Sequence, residues 1–358
     1  MATRSEAAGD QGRPAAREGY GDMGDASGFR DVNGGGEALG EGKAIGGDGI
    51  TSRGGGSDGS LRTGGTDPAT EAFVAHRNLL FTVAYEMLGS AADAEDVLQE
   101  TWLRWVKVDL AHVRDQRAYL VRITTRQALN RLRTMQRRKE AYVGQWLPEP
   151  LLTAPDVAED VELAESVSMA MMLVLETLSP TERAVFVLRE AFDLGYDEIA
   201  AAVDKSPAAV RQIAHRARRH VDARRPRQPV APGVASAAVE SFLRALETGD
   251  PQGLLDVLAP DVVLVGDGGG IKQAALRPIS GADKVVRFML GGIGKTKLPL
   301  TVAPTVVNGA PALRVHLDGQ FDGVMAVRVE DGRISGLYYV RNPEKLTRFA
   351  SETPLTLH

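Results

Sequence analysis

Two stretches of this chain carry long cationic and amide side chains at helical spacing. The chemistry open to them is a noncovalent grip on a polyanion. From Tyr196 to Arg219 the chain reads YDEIAAAVDKSPAAVRQIAHRARR. Ile199, Ala200 and Val203 give a short first helix one apolar face. Ser206 then stands where an N-cap belongs and Pro207 fills the first helical position, restarting a helix after a tight turn. Val210, Ile213, Ala214, Ala217 and Val221 recur at helical period and predict one buried face. The opposite face carries Arg211, Gln212, His215, Arg216, Arg218 and Arg219. This pattern reads as a helix-turn-helix whose second helix lies in a major groove, its long side chains reaching base edges and phosphates. The competing reading is a basic surface helix of an ordinary bundle.

The second stretch, AYLVRITTRQALNRLR from Ala118, sets Arg122, Arg126, Gln127, Asn130, Arg131 and Arg133 on neighbouring faces of one helix. Arginine binds phosphate and stacks on bases, and Gln127 and Asn130 suit an exposed base edge. A solvated basic face without a partner is the alternative. Upstream, DAEDVLQETWLRW holds Asp93, Glu95, Asp96, Gln99, Glu100 and Trp102, an acidic face with an aromatic edge. It suits an arginine-rich protein partner, with Trp102 as a desolvated anchor. Asp93 and Glu95 also favour a helix N-terminus electrostatically. Trp102 and Trp105 lie three apart, so one of them belongs to the core.

The net charge of −5 over 358 residues does not exclude nucleic acid, because the charge is unevenly spread. Asp115 is the only acid between Arg114 and Lys139, and Asp222 the only one between Lys205 and Arg227. Local patches decide phosphate binding. The chain has no cysteine, which excludes disulfides and thiolate metal sites. No catalytic residue, metal or cofactor is expected. No apolar run reaches membrane-spanning length and no signal-peptide core is present, so a cytoplasmic protein with no membrane partner is expected.

The organisation needed to position these residues follows from texture. Residues 1–67 are rich in Gly, Asp, Ser and Arg and are expected to be a disordered tail. Translation starting near Thr66 is the alternative, which N-terminal sequencing of native protein would remove by finding Met1. Residues 68–142 read as a first helical unit. Phe73, Val74, Leu80, Phe81 and Tyr85 lie in a helix ended by Gly89, Ser90 caps the next, and a third runs from about Gln116 to Lys139. A Pro-punctuated acidic linker spans 143–165. Residues 166–225 form a second helical unit, in which Ser179 and Pro180 start the helix that leads into the helix-turn-helix. From 226 to 358 two helices precede strand-like runs. Asn308-Gly309 and Asp331-Gly332 mark hairpins between apolar runs. Helices against a curved antiparallel sheet make an α+β plan.

Three further motifs stand apart. Trp146, Leu147, Pro148, Glu149 and Pro150 place an indole among prolines, which suits docking on a surface. Asp267, Gly268, Gly269 and Gly270 allow close approach by a neighbour and lack the Gly-Lys-Ser/Thr of a phosphate loop. Asn342, Pro343, Glu344, Lys345 and Leu346 read as a capped helix start or as a contact with the linker or the helical units. Asp267, Arg314 and His316 are candidates to line a pocket.

Two basic helical units joined by an acidic linker resemble the extracytoplasmic-function group of bacterial RNA polymerase sigma factors, from Thr70 to Arg225. WLPEP, DGGG and NPEKL resemble the motifs of the subgroup with a C-terminal SnoaL-like domain, a cone-shaped α+β fold. Lys272 follows Ile271, displaced from the position directly after the glycines where that pattern puts a lysine. The resemblance implies that 68–142 binds RNA polymerase core and opens the −10 element, and that 166–225 reads the −35 element of promoter DNA. It also implies that the C-terminal domain regulates both, through the residues of the three motifs. Other readings are a small-molecule enzyme or ligand sensor in the C-terminal domain attached to a DNA-binding half, and a DNA binder that works without polymerase.

Overall fold

The computed structural model describes residues 67–153, 167–224, 230–296 and 298–350. The expectation of a disordered tail and the acids of the linker from Asp156 to Glu165 lie outside the described residues.

Helix α1 (Pro68–Leu88) stops at Gly89, whose φ of +69° gives the left-handed cap that glycine takes without strain. Ser90 caps α2 (Ala91–Trp105) by accepting from Asp93 N. Asp115 does the same for Ala118 N at the start of α3 (Gln116–Glu140). These three helices pack on one another. Trp105 is the core indole, its Nε1 donating to Ala69 O at 2.8 Å, while Trp102 is half-buried against Phe73. Val74 is 63% exposed, although it stands seven residues before buried Phe81 on the same helix.

The second unit comprises α4 (Met169–Leu175), α5 (Pro180–Phe186), a π-helical turn (Val187–Ala191), α6 (Tyr196–Val203) and α7 (Pro207–Asp222). Ser179 and Glu182 form a reciprocal capping box at the start of α5. Asp204, at φ +57°, ends α6, and Ser206 caps α7 by accepting from Ala209 N. Val210, Ile213, Ala214, Ala217 and Val221 are all buried, as the period predicts. Helix α3 packs against α5 and α6, so one apolar core runs through both helical units.

In the C-terminal part, α8 (Pro232–Thr248) and α9 (Pro251–Val257) precede β1 (Leu258–Asp267), β2 (Ile279–Ser280) and α10 (Ala282–Thr296). Strands β3 (Leu300–Val307), β4 (Ala310–Leu317), β5 (Gln320–Glu330) and β6 (Arg333–Val340) follow, then a 3₁₀ turn (Pro343–Lys345) and α11 (Thr347–Ala350). The sheet order is β2-β1-β6-β5-β4-β3. It is mixed rather than purely antiparallel, because β1 pairs with β6 in parallel. Such a pair needs a long crossover, here α10 and the β3–β5 meander. The three hairpins turn at Asn308-Gly309, Asp318-Gly319 and Asp331-Gly332, every one of these residues having φ between +51° and +75°.

One face of the sheet, with Met325, Val327 and Val329, packs on α8 and α10. The other face carries Val324, Ala326, Tyr338 and Val340, and is covered by Leu147 of the linker, Met169 and Ala170 of α4, and Leu346 and Phe349. A sheet buried on both faces loses the alternation of a half-exposed one.

Candidate functional site

The three motifs that stand apart in the sequence converge on one cluster. Asp267, at the end of β1, is fully buried. Its Oδ1 accepts from Tyr142 OH at 2.5 Å and Gly269 N at 3.1 Å. Its Oδ2 accepts from Leu147 N at 2.9 Å and Lys345 Nζ at 2.7 Å. Lys345 Nζ also donates to Leu147 O at 2.6 Å and sits 3.3 Å from the centre of the Trp146 ring. Burial lowers the Lys345 ammonium to about 8, although the Asp267 carboxylate pulls the other way. The Trp146 Nε1 is buried and finds no acceptor among the described residues, so the indole acts through its face. Burial first, then Asp267, pushes the Tyr142 hydroxyl above its ordinary value.

Asn342 and the glycines complete the cluster. Asn342 accepts from Glu344 N at 3.0 Å, starting the 3₁₀ turn as a cap, and its Nδ2 donates to Tyr142 OH at 2.8 Å. A Cβ on Gly269 would stand 2.4 Å from Asn342 Nδ2, and one on Gly268 only 1.9 Å from Lys272 O. Gly269 also has a φ of +63°. The glycines therefore serve close approach between the β1 loop and the Asn342 turn. Pro343 and Glu344 remain exposed on that turn, whereas Lys345 and Leu346 are buried.

The strap from Leu147 to Thr153 then crosses to the first helical unit. Glu149 is buried, and its Oε2 accepts from Ser90 Oγ, Ala91 N and Ala92 N at 3.1, 2.8 and 3.2 Å. A carboxylate on the first N–H groups of α2 satisfies donors that a helix start leaves open and complements its dipole. Glu149 N donates to Gly89 O, and Tyr85 OH donates to Glu149 O at 2.8 Å. Asn308, in the β3–β4 turn, donates from Nδ2 to Tyr85 OH at 2.7 Å and to Val167 O at 2.8 Å, and accepts from Leu151 N at 3.0 Å. One side chain thus ties the sheet, the strap, α1 and the approach to α4 together. Burial raises the Tyr85 hydroxyl above its ordinary value. A second knot joins the helical units directly. Glu176, after α4, pairs with Lys139 of α3 and with Arg183 of α5, and Arg183 Nε donates to Glu86 O at 2.7 Å. Burial raises the Glu176 carboxyl, but Arg183 and Lys139 outweigh it and hold it below its usual range.

The basic faces fare differently. On α7, Arg211, Gln212, His215, Arg216 and Arg219 are all exposed, while Arg218 pairs with Glu190 at 2.5 Å. On α3, Asn130 and Arg133 are exposed and Arg122 stacks at 4.6 Å over Tyr119. Two expectations need correcting. Gln127 is buried at 8% exposure on the inner face of α3, so it does not present its amide to a base. Arg131 is not a free cation: it is held by Asp93 and Asp96, which also occupies two of the expected polymerase-contacting acids. Arg126 is exposed, but its Nη2 donates to Ala201 O of α6 at 3.0 Å. Among the other expected contact residues of α2, Glu95 pairs with Arg77 at 2.9 Å, and Gln99 and Glu100 are exposed beside half-buried Trp102.

Pro148 and Pro150 are buried with Leu147 and Glu149, so this part of the linker is a docked strap, not a solvated tether. Sequence reasoning missed Tyr85, Tyr142, Glu176 and Arg183, and took Asn308 for a turn residue alone. Only its NG signature marked it, and that signature reports backbone shape, not side-chain partners. Among the described residues no cluster of three or more His, Asp or Glu is placed to hold a metal, and no helix is long and apolar enough to cross a membrane.

A bundle with an exposed helix-turn-helix face, strapped to a curved mixed sheet, has known counterparts. The family model for sigma-70 region 2 matches residues 72–138, and that for sigma-70 region 4 matches residues 168–221. The ECF RNA polymerase sigma factor SigJ of Mycobacterium tuberculosis is 38% identical over 289 residues, covering 77% of this chain and 92% of that protein. A probable ECF sigma factor of the same organism, SigI, is 31% identical and covers 80% of this chain and 97% of its own. The crystal structure of SigJ superposes with a TM-score of 0.63 at 34% identity, over 78% of this chain and 98% of the other. The chain therefore belongs to the extracytoplasmic-function sigma factors, in the group with a C-terminal SnoaL-like domain. It is a sigma factor that acts with RNA polymerase core in promoter-directed transcription initiation.

Proposed function

We propose that the strap and the C-terminal domain form a clamp that sets how the two DNA-facing helices are placed relative to each other. The observation that carries this reading is the buried Asp267–Lys345–Leu147 cluster, because one carboxylate and one ammonium hold the linker between region 2 and region 4. Helix α7 reads the −35 element through Arg211, Gln212, His215, Arg216 and Arg219. Helix α3 engages the −10 element through Arg122, Arg126, Asn130 and Arg133. Asp93, Glu95, Asp96, Gln99, Glu100 and Trp102 form the polymerase-facing side of α2, with Arg131 released from Asp93 and Asp96 when that partner docks.

Positions −10 and −35 are about 25 base pairs apart, roughly 85 Å at 3.4 Å per step. Helix α3 touches α6, and Arg126 is bonded to Ala201 O. Reading both elements on one duplex thus requires the Arg126–Ala201 contact and the Lys139–Glu176 pair to open. The residues 142–150, 267–270 and 342–346 are the natural control point of that opening. Turnover in the C-terminal domain is disfavoured, since Asp267 is consumed by the clamp and His316 packs on Phe321 at 5.6 Å.

Run-off transcription with core enzyme and a promoter library tests both levels. Arg211→Ala with Arg216→Ala is expected to weaken −35-containing promoters and to lower the log–log slope of DNA binding against salt by about one per residue. Trp146→Ala and Asp267→Asn are expected to change start-specific output at least threefold. If that output and cleavage of the linker by protease both stay at the wild-type level, the clamp does not control transcription.

A further inference from the structure

The C-terminal domain holds a half-open cavity of about 430 Å³ between α10 and the sheet. That volume falls in the roughly 300–1,000 Å³ range in which proteins hold small organic ligands. Its interior is apolar, with Leu264, Leu313, Val315 and Met325 among the wall residues. Its charged side chains are all cationic: Arg287 and Lys295 on α10, and Arg341 after β6, with no carboxylate in the lining. Arg341 is neutralised, for Asp322 accepts from its Nε at 2.8 Å and from its Nη2 at 2.9 Å. Arg287 and Lys295 are exposed, and among the described residues neither has an ion-pair partner. Phe288, which also lines the cavity, leaves 46% of its surface in solvent at the same helix. An apolar chamber of this size with unneutralised cations on one wall fits one kind of occupant.

We propose that this cavity binds an amphipathic monoanion, a small molecule with an apolar body and a single acidic group. The body lies among Leu264, Leu313, Val315 and Met325, and the acid faces Arg287 and Lys295. Gln273 and Ala274 complete the wall on the side of the β1 loop, and Gln273 O accepts from Arg341 Nη1. The occupant therefore touches the segment that runs from Gly270, and a residue adjacent to Asn342, so that it sits one step from the clamp. Binding itself does not depend on the clamp reading, and a failure of either leaves the other standing.

The test uses the full chain and the fluorescent probe 8-anilinonaphthalene-1-sulfonate, displaced by decanoate, decanol or decyltrimethylammonium. Decanoate is expected to displace the probe at a concentration at least tenfold lower than decyltrimethylammonium. Gly292→Trp fills the chamber from α10, where an added Cβ meets nothing within 4 Å. It should abolish decanoate-sensitive fluorescence while leaving thermal unfolding cooperative. Arg287→Gln with Lys295→Gln should weaken decanoate at least fivefold and leave decanol unchanged. Equal displacement by decanoate and decyltrimethylammonium overturns the assignment of charge. Unchanged decanoate displacement in Gly292→Trp overturns the site, and no displacement by any of the three below 1 mM (about the ceiling for a specific site) overturns the proposal.

Discussion

Asp267→Asn is the sharpest perturbation of the clamp, because it preserves shape and removes one charge. In the native protein four donors converge on this carboxylate, and Lys345 is the only charged one. Two effects add. The first is electrostatic. The Lys345 ammonium already titrates at about 8, so losing its partner drives it neutral at pH 7. Giving up that proton from a group poised so close to neutrality costs at most about 1.4 kcal/mol, a factor of ten in proton affinity. The second is geometric: an amide has one acceptor oxygen where the carboxylate had two, which leaves at least one buried donor unpaired at about 1–3 kcal/mol. The sum is about 2–4 kcal/mol, approaching the loss seen when one member of a buried pair is removed. Urea unfolding at pH 7 of the wild type, Asp267→Asn, Lys345→Met and the double variant closes a thermodynamic cycle. The double variant should be less destabilised than the sum of the singles by about 1 kcal/mol, and limited proteolysis should cut Asp267→Asn faster in the strap. A coupling below about 0.5 kcal/mol would show that Asp267 and Lys345 act independently, and the account of the clamp as a charge pair would be refuted.

Two further expectations follow from the same geometry. Lys345 titrates at about 8 in the fold against an ordinary 10.5, so between those values the native protein binds fewer protons than the unfolded chain. Its contribution to stability therefore rises with pH through this window, by about 2 kcal/mol from pH 8 to 10. The difference in urea midpoint between wild type and Lys345→Met should shift towards the wild type over that range, and a difference that is flat with pH removes the assigned burial. Asn308→Gly keeps a backbone that accepts φ +54° and deletes the hydrogen bonds to Tyr85, Val167 and Leu151. It should cost about 2–3 kcal/mol at roughly 1 kcal/mol per bond, and a loss under about 0.5 kcal/mol in urea unfolding would mean that the turn, not the side chain, matters.

Much of the helical half was legible from residue order. Period and capping chemistry are local, so Ser90, Ser179 and Ser206 announced their helices, and the inward face of α7 matched its apolar spacing. Gly89, Asn308-Gly309 and Asp331-Gly332 marked stops and turns for the same reason, since positive φ is a property of single residues. The misreadings share a cause. Gln127 reads as outward by residue type and spacing, whereas its exposure depends on which neighbour covers that helix. Arg131 looked like a free cation because Asp93 and Asp96 lie 38 and 35 residues away.

WLPEP, DGGG and NPEKL could be singled out as odd for their surroundings, and the indole among prolines already suggested docking. Their convergence on one carboxylate could not be computed from spacing, since Asp267 is 120 residues from Leu147 and 78 from Lys345. The parallel pairing of β1 with β6 is of the same kind: alternation tells that a segment is a strand, not which strand it meets. By itself, then, the amino-acid order determined most of the helices, several of their caps, two of the three hairpin turns and where the cationic residues cluster, because each depends on residues within a turn or two. Only the tertiary structure decided which charges were already spent, which sheet face was covered by the linker, and where a cavity remained. Those outcomes are set by packing between distant segments, and no local period records them.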